Sequence, residues 1–271
     1  MGASALASNI TLGQFFPGNS FIHKLDPRVK IISLVVLLIA VFLSTNYLAL
    51  AINLISAIIF AVMTKISAKT YFKSMKFILF IVLFTSLLNV FYARGTQIFR
   101  FGPLVLTKEG LDNSIFVAMR LIILILISSI LTFTTSSTDL TYALEKLMNP
   151  LSIFKLKTHD LAMMMTISLR FIPTLFEETE KIIDAQKARG ADMESGKILT
   201  RIKAFVPILV PLLVSSFKRA YDLAIAMECR CYNGGEGRTR LKTLHINSQD
   251  IFAIILVLAI FILVLLSNMC F

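Results

Sequence analysis

The sequence predicts an all-α membrane protein, and three features of the chain lead to this fold class. Of its 271 residues, 56% are hydrophobic and only 16% are charged, whereas soluble domains carry about 25% charged residues. The apolar residues gather in uncharged runs that approach the length of a bilayer crossing. Much of the charge lies in the segment 135–248, which holds 16 of the 27 lysines and arginines. This pattern excludes a soluble enzyme and a disordered chain.

Five apolar runs predict transmembrane helices over residues 31–45, 47–63, 77–92, 114–133 and 251–266. Most of these runs provide only about 24 Å of α-helix at 1.5 Å per residue, against about 30 Å of hydrocarbon. Flanking polar residues and snorkelling lysines are expected to make up the difference. Arg120, inside the fourth run, is expected to snorkel to the outer face.

Basic residues predict the orientation of these helices. Lys24, Arg28 and Lys30 precede the first run and place the N-terminus in the cytoplasm, and the basic segment 135–248 falls on the same side. The loop 93–111 is expected outside, although it carries three basic residues of its own. We therefore expect a multi-pass protein of the plasma membrane. The net charge of +11 reports this topology and not nucleic-acid binding.

Three helices are predicted in the basic segment, one short and two long and amphipathic: 140–148, 160–189 and 197–231. Prolines should bend the two long helices, at Pro173, Pro207 and Pro211. Glu177 and Lys181 form a favourable i,i+4 pair, and Gly190 is a natural helix stop. The expected organisation is an N-terminal part with four membrane helices (1–134), a cytoplasmic coupling region (135–248) and a last membrane helix (249–271).

Each long helix ends in an arginine flanked by small residues. The two motifs are Ala188-Arg189-Gly190 and Cys229-Arg230-Cys231. A single arginine at a helix C-terminus is ordinary, because free carbonyls and the helix dipole favour a cation there. The pair indicates more, since a guanidinium can dock bidentately into a carboxylate-lined groove.

The chain resembles the CbiQ/EcfT family of transmembrane coupling subunits of energy-coupling factor (ECF) transporters over essentially its whole length. The resemblance rests on Phe16-Pro17-Gly18-Asn19-Ser20, Leu25-Asp26-Pro27-Arg28-Val29-Lys30, Ser168-Leu169-Arg170-Phe171-Ile172-Pro173, Ala185-Gln186-Lys187-Ala188-Arg189-Gly190 and Ala226-Met227-Glu228-Cys229-Arg230-Cys231-Tyr232. In the family the second arginine motif usually reads Ala-Arg-Gly, so Arg230 matches while its two cysteine neighbours do not.

The resemblance implies a scaffold of an ABC-type importer of vitamins or micronutrients. Residues 188–190 and 229–231 would dock into two cytoplasmic ABC-type ATPases. The long helices would also hold a small substrate-binding membrane protein, the S-component. The residues expected to contact the S-component are Met163, Met164, Ile167, Phe171 and Leu213, in part because flexible thioethers suit a surface that repacks against several partners.

No cofactor, metal or catalytic role is predicted for the chain itself. It contains no G-x-x-x-x-G-K-[ST] loop, so ATP must be hydrolysed elsewhere. Cys229-x-Cys231 with His245 does not supply four zinc ligands. Two other functions stay open: an autonomous secondary carrier or channel, for which the runs offer few midplane polar groups, and an integral-membrane enzyme, which no His, Asp or Cys cluster supports.

Overall fold

The computed structural model describes residues 15–92, 96–101, 104–150, 158–190, 198–234 and 244–270. The described chain is α-helical apart from one short hairpin, and this confirms the predicted all-α fold class. The elements are α1 Phe21–Lys24, α2 Pro27–Leu43, α3 Tyr47–Met63, α4 Ala68–Tyr92, β1 Gln97–Phe101, β2 Leu104–Thr107, α5 Lys108–Thr134, α6 Ser137–Met148, α7 Thr158–Ala188, α8 Ile198–Cys229 and α9 Ser248–Cys270.

The chain divides into two compact units. The first, here called the bundle, comprises the described residues within 13–143 and 243–271. The second contains the described residues within 144–242, and α7 with α8 form most of it. We call α7 and α8 the helix pair. The division of the sequence into 1–134, 135–248 and 249–271 remains a proposal.

Two helices of the bundle, α5 and α9, are long and apolar enough to cross a membrane by length and composition. In α4, the segments Ala68–Lys76 and Ile78–Val90 meet these criteria together but are bent by 57° relative to each other. Helices α2 and α3 have 17 residues each, about 26 Å at 1.5 Å per residue. The membrane helices extend past several of the predicted runs, because polar and basic residues at their ends continue the helix.

The core of the bundle lies between α2, α3, α5 and α9. Its buried apolar side chains are Leu37, Val41, Leu50, Ala57, Ile123, Ile127 and Val257. Polar side chains also connect these helices: Asn53 donates from Nδ2 to the Ser44 hydroxyl over 3.0 Å, while its buried Oδ1 has no hydrogen-bond partner. The Arg120 guanidinium donates to the Ser44 carbonyl over 2.7 Å, so it binds a carbonyl at the C-terminal end of α2. Its snorkelling to the outer face stays a prediction.

A set of buried charged residues ties the two ends of the chain together at one end of the bundle. The Asp250 carboxylate accepts the backbone N–H of Asp26 at 2.8 Å and that of Asn247 at 2.7 Å. The Asp26 carboxylate in turn accepts the N–H of Arg28 and its guanidinium. Lys30 donates to the carbonyls of His23 and Thr134. The residues 25–30 of the family-like motif therefore connect α2 to the start of α9 and the end of α5.

The loop predicted over 93–111 contains a β-hairpin, which corrects the sequence analysis. Strand β1 pairs antiparallel with β2, with Phe101 opposite Leu104 and Gln97 opposite Thr107. Thr107 then caps α5, because its side chain accepts the N–H of Gly110 at 3.2 Å. The Glu109 carboxylate also accepts the N–H of Thr96 at 2.7 Å. These contacts fix the hairpin to the first turn of α5.

Candidate docking site

Helix α7 ends at the first arginine motif. Its last helical residue is Ala188, and the N–H of Arg189 still bonds the carbonyls of Ala185 and Gln186 at 3.2 and 3.1 Å. Gly190 follows with φ +82°, and its N–H bonds the Lys187 carbonyl at 2.9 Å. Arg189 is thus the C-cap residue, and a left-handed glycine directly after it turns the chain away, as the sequence predicted.

Helix α8 ends in the same way at the second motif. Cys229 is its last helical residue, Arg230 is the C-cap, and Cys231 takes the left-handed conformation with φ 57°. The Cys231 N–H bonds the Glu228 carbonyl at 2.8 Å, and the Tyr232 N–H bonds the Met227 carbonyl at 3.0 Å. These two bonds are those of a Schellman motif. A cysteine therefore holds the position that glycine occupies in α7, although its Cβ makes that conformation less favourable.

Both arginine side chains belong to exposed residues at the tips of their helices. Each tip combines a guanidinium with the free carbonyls of a last helical turn, so it can donate several hydrogen bonds to a carboxylate while the carbonyls accept others. Cys229 and Cys231 are free and exposed. Among the described residues, no group of three or more His, Cys, Asp or Glu side chains is arranged to hold a metal ion. The groups that the two tips present are thus hydrogen-bond donors, acceptors and a positive charge, which suit contact with an anionic side chain.

The helices of the pair cross each other in an antiparallel direction. The Glu178 carboxylate of α7 accepts hydrogen bonds from the Ser215 hydroxyl and, at 2.6 Å, from the Arg219 guanidinium. Further along α7, Gln186 donates to the carbonyl of Pro207, which precedes Ser215 in α8. A later residue of α7 thus contacts an earlier residue of α8, which means that the two helices run antiparallel. As a consequence, the structure does not bring Arg189 and Arg230 together, and the two tips point to opposite ends of the pair.

The carboxylate that pairs within the helix pair is Glu178 and not the predicted Glu177. The hydrogen bond from the Ser215 hydroxyl and the positive charge of Arg219 lower the pKa of the Glu178 carboxyl below its usual value. Partial burial acts in the opposite direction but is outweighed. Between described residues, the structure forms no ion pair of Glu177 with Lys181. The Glu178–Arg219 contact cannot be predicted from local spacing, because the two residues are far apart in the chain. The signal in the sequence was a Ser and an Arg four residues apart, which places them on one face of α8.

The pair leaves a large apolar surface exposed. Of the residues predicted to contact an S-component, Met164 and Leu213 are exposed, whereas Met163, Ile167 and Phe171 are partly buried. Along α8, exposed apolar side chains follow one another at four-residue spacing: Phe205, Leu209, Leu213, Phe217, Tyr221 and Ile225. Side chains four residues apart share a helix face. Monomeric soluble proteins rarely expose contiguous surfaces of this kind.

Comparison with known proteins identifies the family. The CbiQ family, described as cobalt transport protein, matches residues 18–241. The energy-coupling factor transporter transmembrane protein EcfT of Ruminiclostridium cellulolyticum is 48% identical over 243 residues, covering 90% of this chain and 91% of that protein. The chain belongs to the EcfT family. Its EcfT relative from Clostridium kluyveri is 45% identical over 97% of this chain and 98% of the relative.

Other EcfT proteins show similar agreement, and the one from Bacillus subtilis is 44% identical over 92% of this chain and 95% of its own length. The matches cover the bundle, α7 and α8 alike. As a member of the EcfT family, the chain is a transmembrane component of an energy-coupling factor transporter, and it is a transporter membrane subunit. This agrees with the apolar helices of the bundle. The roles of Arg189 and Arg230 stay predictions at this point.

Proposed function

We propose that this chain is the coupling scaffold of an ECF-type ABC importer for a vitamin or micronutrient. Two cytoplasmic ATPases, of the EcfA and EcfA′ type, bind the tips of the helix pair, one at residues 188–190 and the other at residues 229–231. A membrane-embedded S-component binds the apolar faces of the same helices. ATP hydrolysis moves the tips, and the helices transmit this motion to the S-component.

The observation that supports this proposal most strongly is the matched geometry of the two tips. Arg189 and Arg230 are both C-cap residues, each is followed by a left-handed residue, and both are exposed. Two equivalent arginines at opposite ends of one pair suit two related partners better than one composite site. The ATPases are expected to supply carboxylate-lined grooves, because a guanidinium fork binds a carboxylate bidentately.

The apolar surface supports the second part of the proposal. Exposed Phe217 and Tyr221 of α8, with Met164 of α7, need a cover of lipid or protein. We assign the S-component to the surface around Met163, Met164, Ile167, Phe171 and Leu213. The chain itself carries no proposed catalytic residue, since hydrolysis belongs to the ATPases.

The test uses the tagged chain co-expressed with its two ATPases and an S-component. Replacement of both Arg189 and Arg230 by Ala should remove most of the ATPase that co-purifies with the chain, and should abolish ATP-driven uptake. Each single replacement should release mainly one of the two ATPases. Lys187→Ala and Lys218→Ala are matched controls, because each removes an exposed cation from the same helices without touching a C-cap. Wild-type uptake in the double variant would contradict the proposal, as would uptake without ATP.

We also propose that the N-terminus and the helix pair lie in the cytoplasm of a plasma-membrane protein. The three cysteines of the chain test this orientation directly. Cys229 and Cys231 are exposed and should react with a membrane-impermeant maleimide only after cells are permeabilised. Cys270, the last residue of α9, is expected on the outer side and should react in intact cells. The opposite labelling pattern would reverse the topology.

A further inference from the structure

The contact between Glu178, Ser215 and Arg219 uses both oxygens of one carboxylate. Oε1 accepts the Ser215 hydroxyl, and Oε2 accepts the Arg219 guanidinium at 2.6 Å. Ser215 and Arg219 are four residues apart and therefore lie on the same face of α8. The Glu178 side chain is only 20% exposed and that of Arg219 41%. The carboxylate thus accepts hydrogen bonds from two donors on one face of the neighbouring helix.

Few apolar side chains of the two described helices are fully buried, so this contact carries more weight than a surface ion pair usually does. Among the residues of α7 and of 205–229 whose burial the structure describes, the buried apolar side chains are Ala162 and Ile208. Among the described side chains, a further hydrogen bond between the helices runs from Gln186 to the Pro207 carbonyl, and it is exposed and 3.3 Å long. The Glu178 contact is thus the shortest and least exposed side-chain hydrogen bonding described between the two helices.

The position of this contact relative to the two tips is symmetric. Arg189 lies eleven residues after Glu178, and Arg230 lies eleven residues after Arg219. Eleven residues are about three helical turns and about 17 Å. Each tip therefore extends from the crossing by an arm of the same length. Because the helices run antiparallel, the two arms point in opposite directions.

We infer that Glu178, Ser215 and Arg219 form a pivot that holds α7 and α8 at a fixed crossing, so that a displacement of one arginine tip is passed to the other helix. This inference rests on the proposed function, since it assigns a coupling role to residues between the two docking tips. A carboxylate held by a guanidinium and a hydroxyl permits rotation of the helices about one point while it resists sliding along either axis. Glu178, Ser215 and Arg219 are positioning residues, because they are not themselves expected to touch nucleotide or transported substrate.

The experiment reverses the charges one at a time and then together, in the assembled complex of chain, ATPases and S-component. Glu178→Arg and Arg219→Glu should each leave both ATPases bound and hydrolysing ATP, while the amount of substrate imported per ATP falls at least tenfold. The double variant, which exchanges the two charges, should recover at least a third of the wild-type ratio. Glu177→Arg and Lys218→Glu are the controls, because they reverse charges at exposed neighbouring positions and should leave the ratio unchanged.

Three results would overturn the inference. The first is a wild-type import ratio in both single variants. The second is a double variant no better than the single ones, since a true pair must respond to exchange. The third is loss of the ATPases together with uptake, which would assign the contact to folding of the pair and not to coupling. Failure of the proposed function looks different: there, replacement of Arg189 and Arg230 leaves docking intact, whatever the pivot variants do.

Discussion

The bundle encloses a core of buried apolar side chains, whereas Ala162 and Ile208 are the only apolar side chains that the described residues of the helix pair bury. Val41 and Leu50 are completely buried between bundle helices, and Leu213 in α8 is 55% exposed. The buried charges differ as well: the bundle encloses Asp26, Lys30 and Asp250, and the pair has the partly exposed Glu178–Arg219 contact. The bundle thus has an apolar core of its own beneath apolar outer faces, whereas the described part of the pair has exposed apolar faces and almost no core. A coupling element needs this property, because a surface that is already satisfied has little to gain from a partner.

The largest effect that tests this contrast is expected in the bundle at Asp250. Replacement by Ala leaves the buried backbone N–H of Asp26 and the part-buried N–H of Asn247 without their acceptor, and should lower the free energy of unfolding by about 3 kcal/mol. Asp250→Asn keeps an acceptor oxygen and should cost less. Denaturant unfolding of the purified chain in detergent measures both. The control is Asp112→Ala, at an exposed residue, which should change stability little. If Asp250→Ala and Asp112→Ala lowered the free energy of unfolding equally, the Asp250 hydrogen bonds would contribute little to the stability of the bundle.

A second prediction makes the same change in both units. Leu50→Ala opens a cavity in the bundle, where Leu50 is fully buried, and should cost about 3 kcal/mol. Leu213→Ala removes an exposed side chain and should change the stability of the isolated chain by about 0.5 kcal/mol or less. Capture of the S-component should show the reverse order, with a larger loss for Leu213→Ala. Equal destabilisation by the two changes would mean that the pair is covered by other parts of the chain.

Much of the fold could be predicted from sequence because its signals are local. Apolar runs located the long helices of the bundle, two of which are long and apolar enough to cross a membrane. Gly190 marked the end of α7 as expected. The hairpin at 97–107 was missed, although Gly102 and Pro103 separate two runs of strand-forming residues. Those runs are short, and a connection between two long helices was read as a loop. The lengths of the apolar runs therefore predicted the helices better than they predicted the hairpin that connects two of them.

The helix crossing could not be predicted from the same signals. Glu178 pairs with Arg219 in another helix, whereas the i,i+4 rule pointed to Glu177 and Lys181. A local rule finds partners on one helix, and the crossing of two helices depends on how their faces meet. The left-handed conformation of Cys231 was equally hidden, because the sequence signal for it is glycine. Both surprises lie where tertiary packing or capping overrides residue preference.

The smallest predicted effect compares the two helix tips. At Gly190 an added Cβ meets no atom within 4 Å, so Gly190→Ala has only the cost of a left-handed backbone, about 1 kcal/mol. Cys231→Gly removes the corresponding cost at the other tip and should stabilise the end of α8 by up to about 1 kcal/mol. Hydrogen exchange of the amides of Gly190 or its replacement and of Tyr232 would report each tip separately, with Cys229→Ala as the control for loss of a thiol.

Amide protection should fall at the first tip in Gly190→Ala and rise at the second tip in Cys231→Gly. This result would establish that both arginines are presented by the same left-handed cap and that cysteine is tolerated there at a cost. If Cys231→Gly instead loosened the end of α8, the thiol side chain itself would be making a contact that holds the cap. The Schellman bonds to Met227 and Glu228 form through backbone atoms alone, and this favours the first outcome. Arg230 would then keep its position in the glycine variant, and ATPase capture should be unchanged while the tip becomes more rigid.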